Sequence, residues 1–199
     1  AAAMTTAMYE ALPAELRKGD HPETDAWFKV NNEHVDDGGW AIVPASALAG
    51  IKGFPQVARL TKRQCAEILT TADVLEFGLE PDTRITGKSW PWDQKISLFL
   101  LAEEPGEEGG FYPAAAAMLE LGMGVALTDG TASEDEMAHM LRHLESQFEL
   151  TANEKLRLRA LQHLLLTGEA GDSRLGRKLQ AKLSVEQRRL VGKYLFAVA

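Results

Sequence analysis

The 199-residue chain is 45% hydrophobic and 25% charged, which suits one sizeable core or two small ones and excludes a disordered composition. A formal charge of -8 argues against nucleic-acid binding through a whole-surface field. Cys65 is the only cysteine, which excludes an internal disulfide and a cysteine-based zinc centre and fits a reducing cytosol.

Residues 1–58 form a poorly defined N-terminal region. Ala1 to Met4 lack the basic stretch and apolar run of a signal peptide. Tyr9 to Leu16 read as a short helix interrupted by Pro13, and Asp36-Asp37-Gly38-Gly39 is a turn signal before a short strand, Trp40 to Pro44. Residues 59–104 read as a helix plus a small β element. Thr61-x-x-Gln64 is a capping box, in which the Thr hydroxyl takes a free backbone N–H and Gln64 reaches back to the cap. The helix it opens is expected to run to about Phe77, with Gly78 placed to terminate it. Thr83 to Lys88 and Lys95 to Leu101 read as two short strands in an antiparallel pair. Trp90-Pro91-Trp92 reads as a packed corner joining them to a bundle, and Glu103 to Gly110 as a Gly/Pro/Glu-rich linker.

From Phe111 onward the signals are helical. Tyr112 to Leu127 is apolar almost all round and therefore central, yet shorter than the roughly 20 residues of a membrane span. Within it Glu120 reads as a wetted edge position in preference to a buried carboxylate, and Gly122 and Gly124 suggest close approach by a neighbouring helix. Met137, Met140, Leu141, Leu144 and Phe148 form one face of a second helix. A third opens at the capping box Thr151-x-x-Glu154 and buries Leu158, Leu161, Leu164 and Leu165. Gly168 and Gly171 break it, and shorter helices follow around Leu175 and Leu179 and from Ser184-x-x-Gln187. The expected fold is mainly α, an antiparallel helical bundle over 111–199 with a small β-hairpin segment before it. Because Leu195 to Ala199 stop in mid-pattern, the chain is expected to be a piece of a longer protein.

Chemistry concentrates in the elbow between the first two bundle helices. Asp129, Glu134, Asp135 and Glu136 are hard oxygen donors of the kind Ca²⁺ or Mg²⁺ takes, although Gly130 follows Asp129 directly and the pattern is not an EF-hand. Ser133-x-x-Glu136 is also a capping box, and carboxylates in a first turn favour the helix dipole, so a helix start is the stronger reading of those two residues. Asp129 and Glu134 are not required by capping. His139 and His143 lie one turn apart, a spacing that chelates transition metals but is commoner for exposed flanking histidines. His21, His34 and His163 carry no signal. No nucleophile elbow or Walker phosphate loop is present. The basic residues from Arg174 to Lys193 read as ordinary exposed helix faces.

The order of these features resembles the tellurite-resistance TerB-like family. An apolar Ala-rich helix leads into Asp129-Gly130-Thr131-Ala132-Ser133-Glu134-Asp135-Glu136, then a helix with His143-Leu144-Glu145, a leucine-rich helix opened by Leu150-Thr151-Ala152-Asn153-Glu154, and a last helix ending Tyr194 to Ala199. The upstream segments Gly78 to Arg84 and Ile96 to Phe99 look like those preceding such domains in long multidomain bacterial relatives. The resemblance covers residues 60–199 and implies a cytoplasmic, non-enzymatic helical module of bacterial stress-response and phage-defence systems. It requires no cofactor, and a divalent cation at Asp129, Glu134 and Glu136 is the implied option. Two such elbows are typical, and the second would fall just after Ala199. Other proteins, or other domains of a longer chain, are the implied partners, with neither nucleic acid nor a membrane span. Two alternatives stay open: a metal-dependent hydrolase using Asp129, Glu136 and His139, and a purely structural interaction domain.

Overall fold

A computed structural model describes residues 8–9, 11–13, 21–106, 110–128, 134–167 and 184–186. The described elements run α1 (Thr24–His34), β1 (Ala41–Pro44), α2 (Ala45–Ile51), α3 (Lys62–Val74), β2 (Phe77–Glu80), α4 (Thr83–Thr86), β3 (Lys95–Leu100), α5 (Tyr112–Thr128), α6 (Glu134–Gln147) and α7 (Ala152–Leu166). The fold is mainly α with one small antiparallel sheet, as expected. The sheet has three strands in the order β1-β3-β2, with Ile42 opposite Ser97 and Leu79 opposite Leu98.

The strands expected around Trp40 to Pro44 and from Lys95 are present, but Thr83 to Lys88 is not a strand. Asp82 accepts the Arg84 backbone N–H at 2.7 Å and starts a single helical turn, which Gly87 closes at φ 69°. Its expected place in the sheet belongs to Phe77–Glu80, and so α3 stops at Val74, short of Phe77. Glu76 makes the reversal with φ 57°. Gly78 therefore lies inside β2 and terminates nothing. A Cβ there would stand 2.3 Å from two ring carbons of Phe99, so glycine is needed for this close approach. The Thr61/Gln64 capping box forms as the sequence indicates.

Two cores result. The first gathers Trp27, Leu48, Ile68, Phe77, Trp90 and Leu98 between the sheet and α1 to α3. Trp90 is buried in it and donates its Nε1–H to the Pro81 carbonyl at 2.8 Å. The aromatic corner thus packs inside the sheet unit and does not join it to the bundle. Cys65, also buried in this core, has its thiol pKa raised by burial. The second core is built on α5, whose Ala114 to Ala117 and Leu119 are buried against Leu144 of α6 and Leu158 and Leu161 of α7. The run of small side chains lets α5 lie close to α7. The faces expected for α6 and α7 are those the structure buries, and the Thr151/Glu154 capping box opens α7. At Gly122 the close neighbour is the Met140 thioether of α6.

α7 is shared between the two units. One side packs on α5 and α6, and another lies against β2 and β3. The short helix expected around Leu175 and Leu179 lies outside the described residues, as does all but the start of the one from Ser184. Among the described residues no helix is long and apolar enough to cross a membrane.

Candidate functional site

The elbow is framed by α5, ending at Thr128, and α6, beginning at Glu134. Asp129 and Ser133 lie outside the described residues, as do the side chains of Glu134 and Glu136. His139 is exposed on α6 and His143 is half-buried. No group of three or more His, Cys, Asp or Glu converges as a metal site requires among the described residues.

A buried ionic junction stands where α7 crosses the sheet, and sequence reasoning missed it. Arg157, on α7, is 4% exposed and directs Nη1 at the end of β2. It donates to the Glu80 carboxylate at 3.1 Å, the Leu79 carbonyl at 3.3 Å and the Asp82 carboxylate at 3.4 Å. Asp82 is fully buried and also receives Arg84, whose guanidinium donates to it through Nε and Nη2 and reaches Asp73 of α3 through Nη1 at 2.6 Å. Burial opposes the charge on Arg84, but hydrogen bonds and ion pairing with Asp82 and Asp73 raise its pKa. Two arginines and three carboxylates thus bind α3, β2, α4 and α7 into one network.

The charges in this junction do not balance. Burial raises the pKa of Glu80 to about 7, against the opposing pull of Arg157. Glu120 faces it from α5. The residue is half-buried, in keeping with the edge position expected for it, but its Oε2 is buried with no hydrogen-bond partner among the described residues. Burial first, and then repulsion from Glu80, raise its pKa to about 8, with Lys88 acting in the opposite direction.

Above the junction the linker closes over the start of α7. Asn153 replaces a strand partner: its Oδ1 accepts the Ala102 N–H at 2.9 Å and the Glu103 N–H at 3.2 Å, and its Nδ2 donates to the Glu103 carbonyl at 2.9 Å. A cleft of about 420 Å³ opens between this linker, α7 and Arg84. His163, which carried no signal in the sequence, sets its Nε2 2.8 Å from the Asp36 carboxylate before β1.

One signal for the junction was present in the chain. Glu154 and Arg157 share the helical face of Leu158 and Leu161, and a charged pair inside an apolar face needs a buried partner. The partner, two acids flanking Pro81, is remote in sequence and no local rule connects it.

Residues 114–199 match the family model described as tellurite resistance protein TerB. No curated protein and no solved structure matches the chain.

Proposed function

From the TerB-like domain that residues 114–199 form, we propose that the chain is a non-catalytic, cytoplasmic interaction module of a bacterial stress-response or phage-defence system. Its partners are other proteins or other domains of a longer chain, and its elbow holds a divalent cation. The family match carries this reading. Support for the ion comes from the donor set: Asp129, Glu134 and Glu136 are carboxylates within one turn and loop, the hard ligands of Ca²⁺ or Mg²⁺. Asp129 and Glu134 matter most, since the cap of α6 needs neither. Bound there, the cation would neutralise like charges at the α5–α6 elbow and hold the two helices at a fixed angle for a partner.

Titration of Ca²⁺ and of Mg²⁺ tests the claim, followed by melting and calorimetry on the whole chain and on an Asp129→Asn/Glu134→Gln variant. A ligand bound only by the folded state stabilises by about 2.7 kcal/mol at a hundred times its Kd, so the wild-type melting temperature rises and that of the variant does not. Superimposable wild-type curves with and without either ion would sink the cation site.

A further inference from the structure

The cleft above the ionic junction has an unmatched electrostatic demand. Glu154 lines it and is 1% exposed. One of its oxygens, Oε2, accepts the Thr151 N–H of the capping box at 2.8 Å. The other, Oε1, is buried with no hydrogen-bond partner among the described residues. Neither arginine lining the cleft relieves it, because Arg84 is committed to Asp82 and Asp73, and Arg157 to Glu80, Asp82 and the Leu79 carbonyl. Glu103 and Glu104 add two exposed carboxylates at the rim. A buried carboxylate oxygen left without a donor is costly, so the cleft favours a ligand that brings one.

The geometry points to a binding site for a primary alkylammonium group in this cleft, with Glu154 as its buried acceptor. The number of free oxygens selects the cation. A guanidinium is matched by both oxygens of a carboxylate in a fork, whereas the cap leaves Glu154 only one. An ammonium is a compact charge with three donors, which suits one buried oxygen backed by the rim carboxylates. A metal ion would need a convergent set of ligands, and none forms among the described residues. Leu101 and Pro105 line the same cleft and offer apolar surface to an aliphatic stem. A lysine side chain of a partner and a free alkylamine share this chemistry. The site is independent of the elbow and of any ion held there.

Two-dimensional NMR on the whole chain distinguishes the sources. Nα-acetyl-lysine methylamide and n-pentylamine are titrated separately, with the Nε-acetylated lysine amide and an arginine amide as controls. Binding is expected to shift the amides of Leu101 to Glu104, of Gly106 and of Glu154. The lysine amide binding more tightly assigns the site to a partner's lysine, and pentylamine binding as tightly or more so assigns it to free amines. Glu154→Gln should weaken either ligand at least tenfold while keeping the helix start, since Thr61 and Gln64 form the same box in α3. Glu103→Gln/Glu104→Gln alters only exposed side chains and should weaken binding several-fold, a check that does not depend on how Glu154→Gln folds. No shift with either amine, equal binding of the acetylated or arginine control, or unchanged affinity in both variants would overturn the proposal.

Discussion

Glu120 and Glu80 are the residues at which burial and charge conflict most directly. Neither has enough positive charge around it: Arg157 is divided between Glu80 and Asp82, and Lys88 is the cation acting on Glu120. The fold meets this by favouring the protonated acids, with pKa values raised from 4.5 to about 7 and about 8. Between the unfolded and folded values the native state binds more protons than the unfolded chain, so unfolding free energy falls as pH rises. The stabilisation is complete below about pH 4.5, and it is lost as pH climbs through about 7 and 8. The slope should approach about 1.4 kcal/mol per pH unit for each titrating group. Glu120→Gln keeps the shape and removes the upper part of this dependence, leaving the part that belongs to Glu80. Urea unfolding at a series of pH values is expected to show the variant more stable than wild type near about pH 8 and close to it near about pH 5. Parallel profiles for the two proteins would refute this account of Glu120.

Two glycines inside elements show how a neighbour decides the meaning of the residue. In β2, a Cβ on Gly78 would meet the Phe99 ring at 2.3 Å, and Phe99 is itself a rigid ring buried on the central strand. In α5, a Cβ on Gly122 would meet the end of Met140 at 2.8 Å, a flexible thioether that can turn aside. Gly78→Ala should therefore cost about 1–3 kcal/mol from overpacking. Gly122→Ala should be nearly neutral, because a gain of about 1 kcal/mol in helix propensity offsets the displacement of Met140. Paired chemical denaturation checks the order of the two, and Gly122→Ala proving the more damaging would contradict it. The same contrast explains what could be read in the chain. Elements defined by their own periodicity and caps, such as α3 at its start, α6 and α7, were legible because the signals are local. The end of α3 was not, because Gly78 looks identical as a helix stop and as a site of contact with a ring 21 residues away. The turn at Thr83–Thr86 was misread as strand because the β-branched residues Thr83, Ile85 and Thr86 outweighed the Asp82 cap and the Gly87 closure. The elbow was legible as a charge pattern. The junction went unread, although Glu154 and Arg157 on an apolar face mark one side of it.

At the scale of the whole molecule, α7 belongs to two structures at once. It completes the bundle core with Leu158 and Leu161, and through Arg157 it holds the end of β2. The helical bundle is thus fastened to the sheet unit by a buried ion network, with His163 and Asp36 as a second tie nearer the surface. Removing one partner from a buried ion pair costs about 3–5 kcal/mol, because the charge left behind has neither water nor a counterion. Arg157→Met keeps the aliphatic volume on α7 and, at pH values above the Glu80 pKa of about 7, strands the ionised Glu80, while Asp82 retains Arg84; the measurements that follow are made there. The loss should fall on the coupling between the units and leave each core intact. Trp27, Trp40, Trp90 and Trp92 all precede the linker, so tryptophan fluorescence reports the sheet unit, whereas far-UV circular dichroism includes the bundle helices. In wild type the two signals should fall together in urea as one transition. In Arg157→Met they should separate, with total stability reduced by about 3–5 kcal/mol. Glu80→Gln/Arg157→Met removes the stranded charge and should recover a large part of that loss. Coincident transitions in the single variant, with stability within about 0.5 kcal/mol of wild type, would mean that the two units are held together by apolar packing and that the ion network contributes nothing to their coupling.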